Sequence, residues 1–285
     1  MICSACSEPI SETVTECPHC GRPSLFPNVI AATKPEEEAA LSARVAQSYA
    51  NAGARGTTDK VNEFATALAS GEAVINRSFG ELFRLGWSDD QIYSTYYQRV
   101  NAGMQLPEGD SWNRLRGIAD SILFGDKNKA SIRFAALSLD GIGLEKYGEC
   151  SMTLKTPMIA HRASVFEENS VIFMERHDIG GRDKFVVPAG FRAPWNRYVA
   201  LCLAKLTEKL LLDTPSSAFP SILLFSGSTP GDDEFVEVHI WGSLTIRSFV
   251  RVVVRHWNTA HAPVDITALA ARLSKLAWNL FYLRP

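Results

Sequence analysis

No stretch of this chain approaches the ~20 apolar residues that a membrane-spanning helix needs. The richest apolar windows, 199–212 and 248–254, carry Lys or Arg inside them. The opening Met-Ile-Cys has no basic region followed by an apolar run, so no secretory signal is expected. Charge of one sign is also missing: the formal net charge is −2, which supplies no whole-chain attraction to nucleic acid or to an anionic membrane. Beyond residue 20 cysteine is reduced to Cys150 and Cys202, each in apolar surroundings. A secreted disulfide scaffold would spread paired cysteines through the chain, so a cytoplasmic protein is expected, with no membrane partner.

Most motifs that announce a reaction are absent. The chain has no Walker loop, no HExxH, no GxSxG, no second metal-ligand cluster and no evident internal repeat. Gly141-Ile-Gly143 is a bare GxG in a turn between strands. Asp232-Asp233-Glu234 with Glu237 crowds its carboxylates into one stretch, and no Lys follows as a metal nuclease would want.

What the chain does have begins with Cys3, Cys6, Cys17 and Cys20, spaced C-x2-C-x10-C-x2-C. Each Cys-x-x-Cys turn presents two thiolates to one ion, and the ten-residue return brings the second turn to the first. Four sulfurs complete the closed tetrahedron of structural zinc. A module this small buries too little core to fold alone, so metal binding is expected to fold it. Acidic Glu8, Glu12 and Glu16 outnumber the single basic neighbour Arg22, which favours protein contact or a structural role over phosphate binding.

Hydrophobic residues make up 46% of the chain and charged residues 21%, enough for a large core. The expected class is α+β in four parts: a four-cysteine zinc ribbon (1–21), a Pro-containing linker (22–35), a helical segment (36–125) and a β-rich domain (126–285). Helices are expected at 36–52, at 58–70, after a capping box at 88–91, and around Trp112, Leu115 and Ile118. Strands are expected at 132–139, 149–154, 170–175, 184–187, 221–225, 235–241 and 249–255, with helices at 195–212 and 265–281. Irregular strand–helix alternation argues against a doubly wound parallel sheet.

The strand around Phe235-Val-Glu-Val-His-Ile-Trp241 is the most informative. Alternation puts Val236, Val238 and Ile240 on an apolar face and Glu237 with His239 on the other. That second face suits the lining of a cleft, although strand pattern alone favours an edge strand with its polar residues in water.

Three segments carry a resemblance to one family. LSLDGIGLEKYGECSMTLK (137–155), HRASVFEENSVIF (161–173) and FVEVHIWGSL (235–244) resemble the loop and first core strand, the middle segment and the late catalytic strand of bacterial toxin-like ADP-ribosyltransferases. The resemblance covers 136–254 and implies transfer of ADP-ribose from NAD to a macromolecular acceptor, protein or nucleic acid. It implies Glu237 as the catalytic glutamate, Ser170 as its support and His239 at a position that helps choose the acceptor. It also implies Arg162 or Arg133 on an NAD phosphate, Asn169 beside Ser170, and Tyr147 stacked on the nicotinamide. A regulatory protein or antitoxin would be a partner. The residues by themselves favour surface positions or ion pairs for Arg133 and Arg162, turn chemistry for Asn169-Ser170 and packing for Tyr147. The alternative reading is a non-enzymatic zinc-ribbon module that binds protein or nucleic acid.

Overall fold

Among the described residues, eight short strands form one sheet whose spatial order departs from chain order. They are β1 (Glu72–Arg77), β2 (Ile132–Ser138), β3 (Cys150–Leu154), β4 (Ala163–Phe166), β5 (Arg192–Pro194), β6 (Glu237–Trp241), β7 (Phe249–Val254) and β8 (Asn279–Tyr282), lying β5-β4-β6-β2-β1-β3-β7-β8. Neighbours run antiparallel except β7 and β8. The computed structural model describes residues 2–87 without 4 and 13, then 92–103, 111–180, 185–254, 268, 271–274 and 279–282. The helices are α1 (Pro27–Ala32), α2 (Pro35–Arg55), α3 (Thr58–Leu68), α4 (Phe79–Trp87), α5 (Tyr96–Asn101), α6 (Ser111–Phe124), α7 (Thr156–Ile159), α8 (Ser170–Arg176), α9 (Tyr198–Leu206) and α10 (Phe219–Leu223). The chain is therefore α+β.

The two sheet faces are chemically different. One carries Ala73, Ile75, Leu137, Met152, Val238 and Ile240 into the main core. α9 and α10 pack on it, with α2 and α3 outside them; Phe64 of α3 meets Phe219 of α10 edge-on at 5.0 Å. Burying each such side chain contributes about 1.5–3 kcal/mol. The opposite face carries Phe134, Phe166, Glu237 and His239. α6 and α8 cover part of it, packing Ala119, Leu123, Val171 and Phe173 against Phe166. The uncovered part becomes the cavity described below.

Several expectations are corrected. The stretch 36–125 is not wholly helical, because β1 inserts between β2 and β3 at the centre of the sheet. Its inner residues Ala73, Val74 and Ile75 are buried on both faces, so the strand lacks the alternation that marks a half-exposed one. Residues 22–35 are not a free linker: Pro27 starts α1, which lies against β4, β5 and β6. Asn28, buried there, donates through Nδ2 to the carbonyls of Arg162 (3.1 Å) and His239 (3.0 Å) and to Ser164 Oγ (3.2 Å). Asn28→Ala strands these acceptors, and a loss of about 1–3 kcal/mol is expected in a urea melt.

The expected strand at 170–175 is a helix, and the one at 221–225 is helical as far as Leu223, with Phe225 alone bridging Glu234. Apolar runs of this length fit either state, and local chemistry decides. Asn169 Oδ1 accepts from the Val171 amide at 2.9 Å and caps α8, while Pro220 sits in the first turn of α10. No strand forms at 185–187, and β4 and β5, only four and three residues long, carry too little pattern to read. The helix expected at 195–212 is regular only over α9, with 3-10 turns on either side. The last expected helix gives way by 279, where β8 runs beside β7. Leu269 and Leu276, like the 88–91 capping box, lie outside the described residues. A capping box does form at Thr95, whose hydroxyl accepts from the Gln98 amide at the start of α5.

Candidate functional site

The N-terminal cysteines converge as their spacing requires. The Sγ atoms of Cys3, Cys6, Cys17 and Cys20 all lie within 4.8 Å of one another. Cys3 and Cys20 are 3.8 Å apart, Cys6 and Cys17 3.6 Å. A disulfide needs about 2.05 Å. Four sulfurs about 2.3 Å from one ion are separated by about 3.8 Å, so the group fits a tetrahedral metal. The two knuckles are near copies, ICSACSEP (2–9) and ECPHCGRP (16–23), an eight-residue internal repeat where none was expected. In each the first cysteine amide bonds a carbonyl five residues on, Cys3 to Glu8 at 2.9 Å and Cys17 to Arg22 at 2.8 Å. In each the residue after the second cysteine is left-handed: Ser7 at φ 62°, Gly21 at φ 68°.

The knuckles do not hang free. Glu12, between them, accepts through Oε2 from the Ser243 amide at 2.5 Å. Gly242, at φ 82°, leaves the space that Glu12 Oε2 and the Arg162 guanidinium share. Arg162 is fully buried, donating Nε to Met158 O (3.0 Å) and Nη1 to Trp241 O (2.7 Å) and Ser243 O (3.1 Å). Burial pushes its pKa down to about 10. It ties α7 to the end of β6 and the loop that follows, with the Glu12 charge nearby.

A cavity of about 330 Å³ opens between β1, β2, β6, α5 and α6. That size falls within the range of small-molecule sites, about 300–1,000 Å³. Glu237 lies in its wall. The Glu237 Oε2 atom receives the Ser170 amide at 3.2 Å and His239 Nε2 at 2.9 Å; a carboxylate only accepts, so Nε2 carries the proton. His239 is buried behind Glu237, ringed by Phe124 (4.8 Å, 90°), Phe134 (5.3 Å) and Phe166 (5.9 Å). Tyr147 faces the same space, its phenol raised by burial and drawn back down by Arg116.

Of the residues singled out in the sequence, Glu237, Ser170, Asn169, Tyr147 and Arg133 line this one cavity. His239 stands behind it and Arg162 outside it. Arg162 is thus removed from the expected phosphate pair, since its guanidinium already serves backbone carbonyls. Ser170 supports Glu237 through its amide. Asn169 is committed to capping α8. Arg133 reaches Ser131 O at 2.8 Å and Gln98 Oε1 at 3.1 Å, with Nε unpartnered among the described residues.

Three lining residues, Tyr97, Arg116 and Asp120, were not singled out in the sequence. Arg116 and Asp120 are one helical turn apart on α6, a spacing visible in RLRGIAD but indistinguishable there from a solvated face. Tyr97 Oη donates to Asp120 Oδ2 at 2.6 Å. Asp120 is fully buried, its Oδ1 unpartnered among the described residues. Burial, then Glu237, lifts its pKa from the ordinary 3.8 to about 6. The folded chain therefore holds this proton where the unfolded chain has released it. The contribution of Asp120 to stability falls as pH rises from about 4 to about 6. Asp120→Asn is expected to melt at or above the wild type in a thermal scan at pH 8.

Arg77, Arg99, Arg116 and Arg133 line the cavity against Glu81, Asp120 and Glu237. Arg99 spends one contact on Glu81 at 2.8 Å, and Arg77 lies 4.7 Å over the Tyr93 ring. Planar cations beside tyrosines suit a ligand with phosphate and a flat ring.

Other polar clusters resolve into structural pairs. Asp233 pairs with Lys146 at 2.7 Å, Asp232 accepts from Thr229 and Ser228, and Glu234 pairs with Lys209, so they form no metal site. Gly143 is close to Asn76 and Gly148 to the Arg77 backbone; these glycines let the 140–149 loop lie flat on the sheet. No family model matches the chain, and no curated protein or solved structure does either.

Proposed function

We propose that the cavity takes NAD and that the chain transfers ADP-ribose to a macromolecule, with Glu237 as the catalytic glutamate. The observation that carries this reading is the setting of Glu237. One oxygen is pinned by the Ser170 amide and His239, while Tyr147 and Arg116 line the same cavity.

Glu237 accepts a hydroxyl of the nicotinamide ribose and faces the ring carbon that becomes cationic as the nicotinamide bond breaks. The electron pair of that bond leaves with nicotinamide, and a fixed carboxylate beside the growing positive charge lowers the barrier. Tyr147 stacks on the nicotinamide ring. Arg116 holds phosphate oxygens; Arg133, with both Nη atoms committed to Ser131 O and Gln98 Oε1, is left to structure like Arg162. His239 touches no ligand; it positions Glu237 from behind.

The ion held by Cys3, Cys6, Cys17 and Cys20 is structural zinc in this reading. All four places are filled by sulfur, so the metal takes no part in the reaction. With Glu12 turned inward onto the Ser243 amide, the ribbon braces the loop that follows the Glu237 strand, and its outer surface offers a protein contact. Incubating the full chain with NAD labelled in the adenosine half, together with separated protein, RNA and DNA fractions, tests the transfer and names the acceptor. Label in one fraction supports the reading; NAD left intact with all three overturns it.

A further inference from the structure

Glu237 and Asp120 are built alike. Each is a buried carboxylate in the wall of one cavity, and each has one oxygen pinned by neighbours. Asp120 Oδ2 is held by Tyr97 Oη at 2.6 Å, and its Oδ1 has no partner among the described residues. Leaving a buried carboxylate oxygen unbonded is a cost to the fold, and nothing in the packing of α6 requires an acid there. Ala119 and Leu123, on the same helix, bury ordinary apolar side chains.

We infer that Asp120 is the general base that takes the proton from the attacking group of the acceptor. The inference rests on the transfer reading above. The lone pair of an acceptor hydroxyl or amine forms a bond to the ribose carbon. The O–H or N–H bond breaks, with its proton passing to Asp120 Oδ1, and the electron pair of the ribose–nicotinamide bond departs with nicotinamide. Two carboxylates then divide the work. Glu237 stays charged beside the cationic ring, and Asp120 exchanges a proton.

The groups facing Asp120 fit this division. Tyr97 from α5 donates to it, Arg116 lies one turn back on α6, and Glu237 and His239 face it from β6. Burial and the Glu237 charge raise its affinity for a proton; Tyr97, Arg116 and His239 hold the rise to about 6. A base in this range is unprotonated at neutral pH yet still takes up a proton readily.

Azide separates the roles, because it attacks as an anion and has no proton to lose. For Asp120→Asn, label transfer to the natural acceptor is expected to fall by about 10²–10⁴-fold. Molar azide is expected to restore nicotinamide release, with ADP-ribosyl azide as product. Glu237→Gln is expected to show no such rescue. If the wild type releases no nicotinamide, the transfer reading fails. If the wild type is active and Asp120→Asn is either undiminished or not rescued by azide, the assignment of Asp120 alone fails. Tyr97→Phe keeps the carboxylate and removes a bond that lowers its pKa, so the acid limb of the rate profile is expected to move to higher pH. An unmoved limb overturns the assignment.

Discussion

Glu237→Gln is expected to lower nicotinamide release by about 10²–10³-fold, the range found when one preorganised group facing developing charge is removed. The fold should survive. The amide oxygen of Gln still accepts from the Ser170 amide and from His239 Nε2, so both anchors remain. Val236 and Val238 on either side continue to fill the main core. What disappears is the negative charge, and with it the attraction for a cationic ring carbon. The melting temperature should stay near that of the wild type, because the substitution disturbs hydrogen bonds worth about 1 kcal/mol each. A variant that unfolds would show that the carboxylate is part of the architecture; a variant with full activity would remove Glu237 from the chemistry. Activity and a thermal melt measured on the same preparation separate these outcomes.

The second large effect concerns the ribbon. One zinc per chain is expected by metal analysis, and Cys17→Ser or a strong chelator should unfold residues 2–23. Among the described residues, their apolar core is the small cluster of Cys3, Ile10 and Cys17 with Cys6 and Val14 beside it. Metal coordination in comparable modules supplies about 10–16 kcal/mol, so nothing adequate remains once it is lost. The body should stay folded but melt lower. It loses the Glu12 contact to Ser243, and the buried Arg162 loses the negative charge of Glu12. Limited proteolysis should cut within 2–23 after chelation and spare the sheet. Full protease resistance in chelator, with no metal bound, would contradict this.

The parts of the molecule differ in how far they could be read from residue order. The cysteine tetrad is local information, since thiolate spacing and turn geometry decide it without the rest of the chain. The face alternation around Glu237 is local in the same sense, and the structure keeps it: Val238 and Ile240 enter the core while His239 lies among Phe124, Phe134 and Phe166. The segment SVIFMER is a harder case, because β-branched and aromatic residues suit a strand. A single side chain, Asn169, tips it into α8 by capping the first turn. β1 is harder again: a short run buried on both faces between amphipathic helices shows no period of its own.

The cavity is not local at all. Tyr97, Asp120 and Glu237 come from three distant stretches, and only the crossing of α5 and α6 over β6 brings them together. Arg162 shows the opposite failure. Its place in a family-like motif pointed to phosphate, but the turn at Gly242 closes carbonyls around it and Glu12 comes to rest beside it. An arginine's partners are a tertiary fact.

The central claim is that the cavity beside Glu237 is an NAD site. Calorimetric titration of NAD into the Glu237→Gln protein tests it most directly, since binding is then free of turnover. Saturable binding at one site per chain is expected, weakened at least tenfold by adding Arg116→Ala. Heat indistinguishable from buffer dilution, in the Gln variant and the wild type alike, would contradict it.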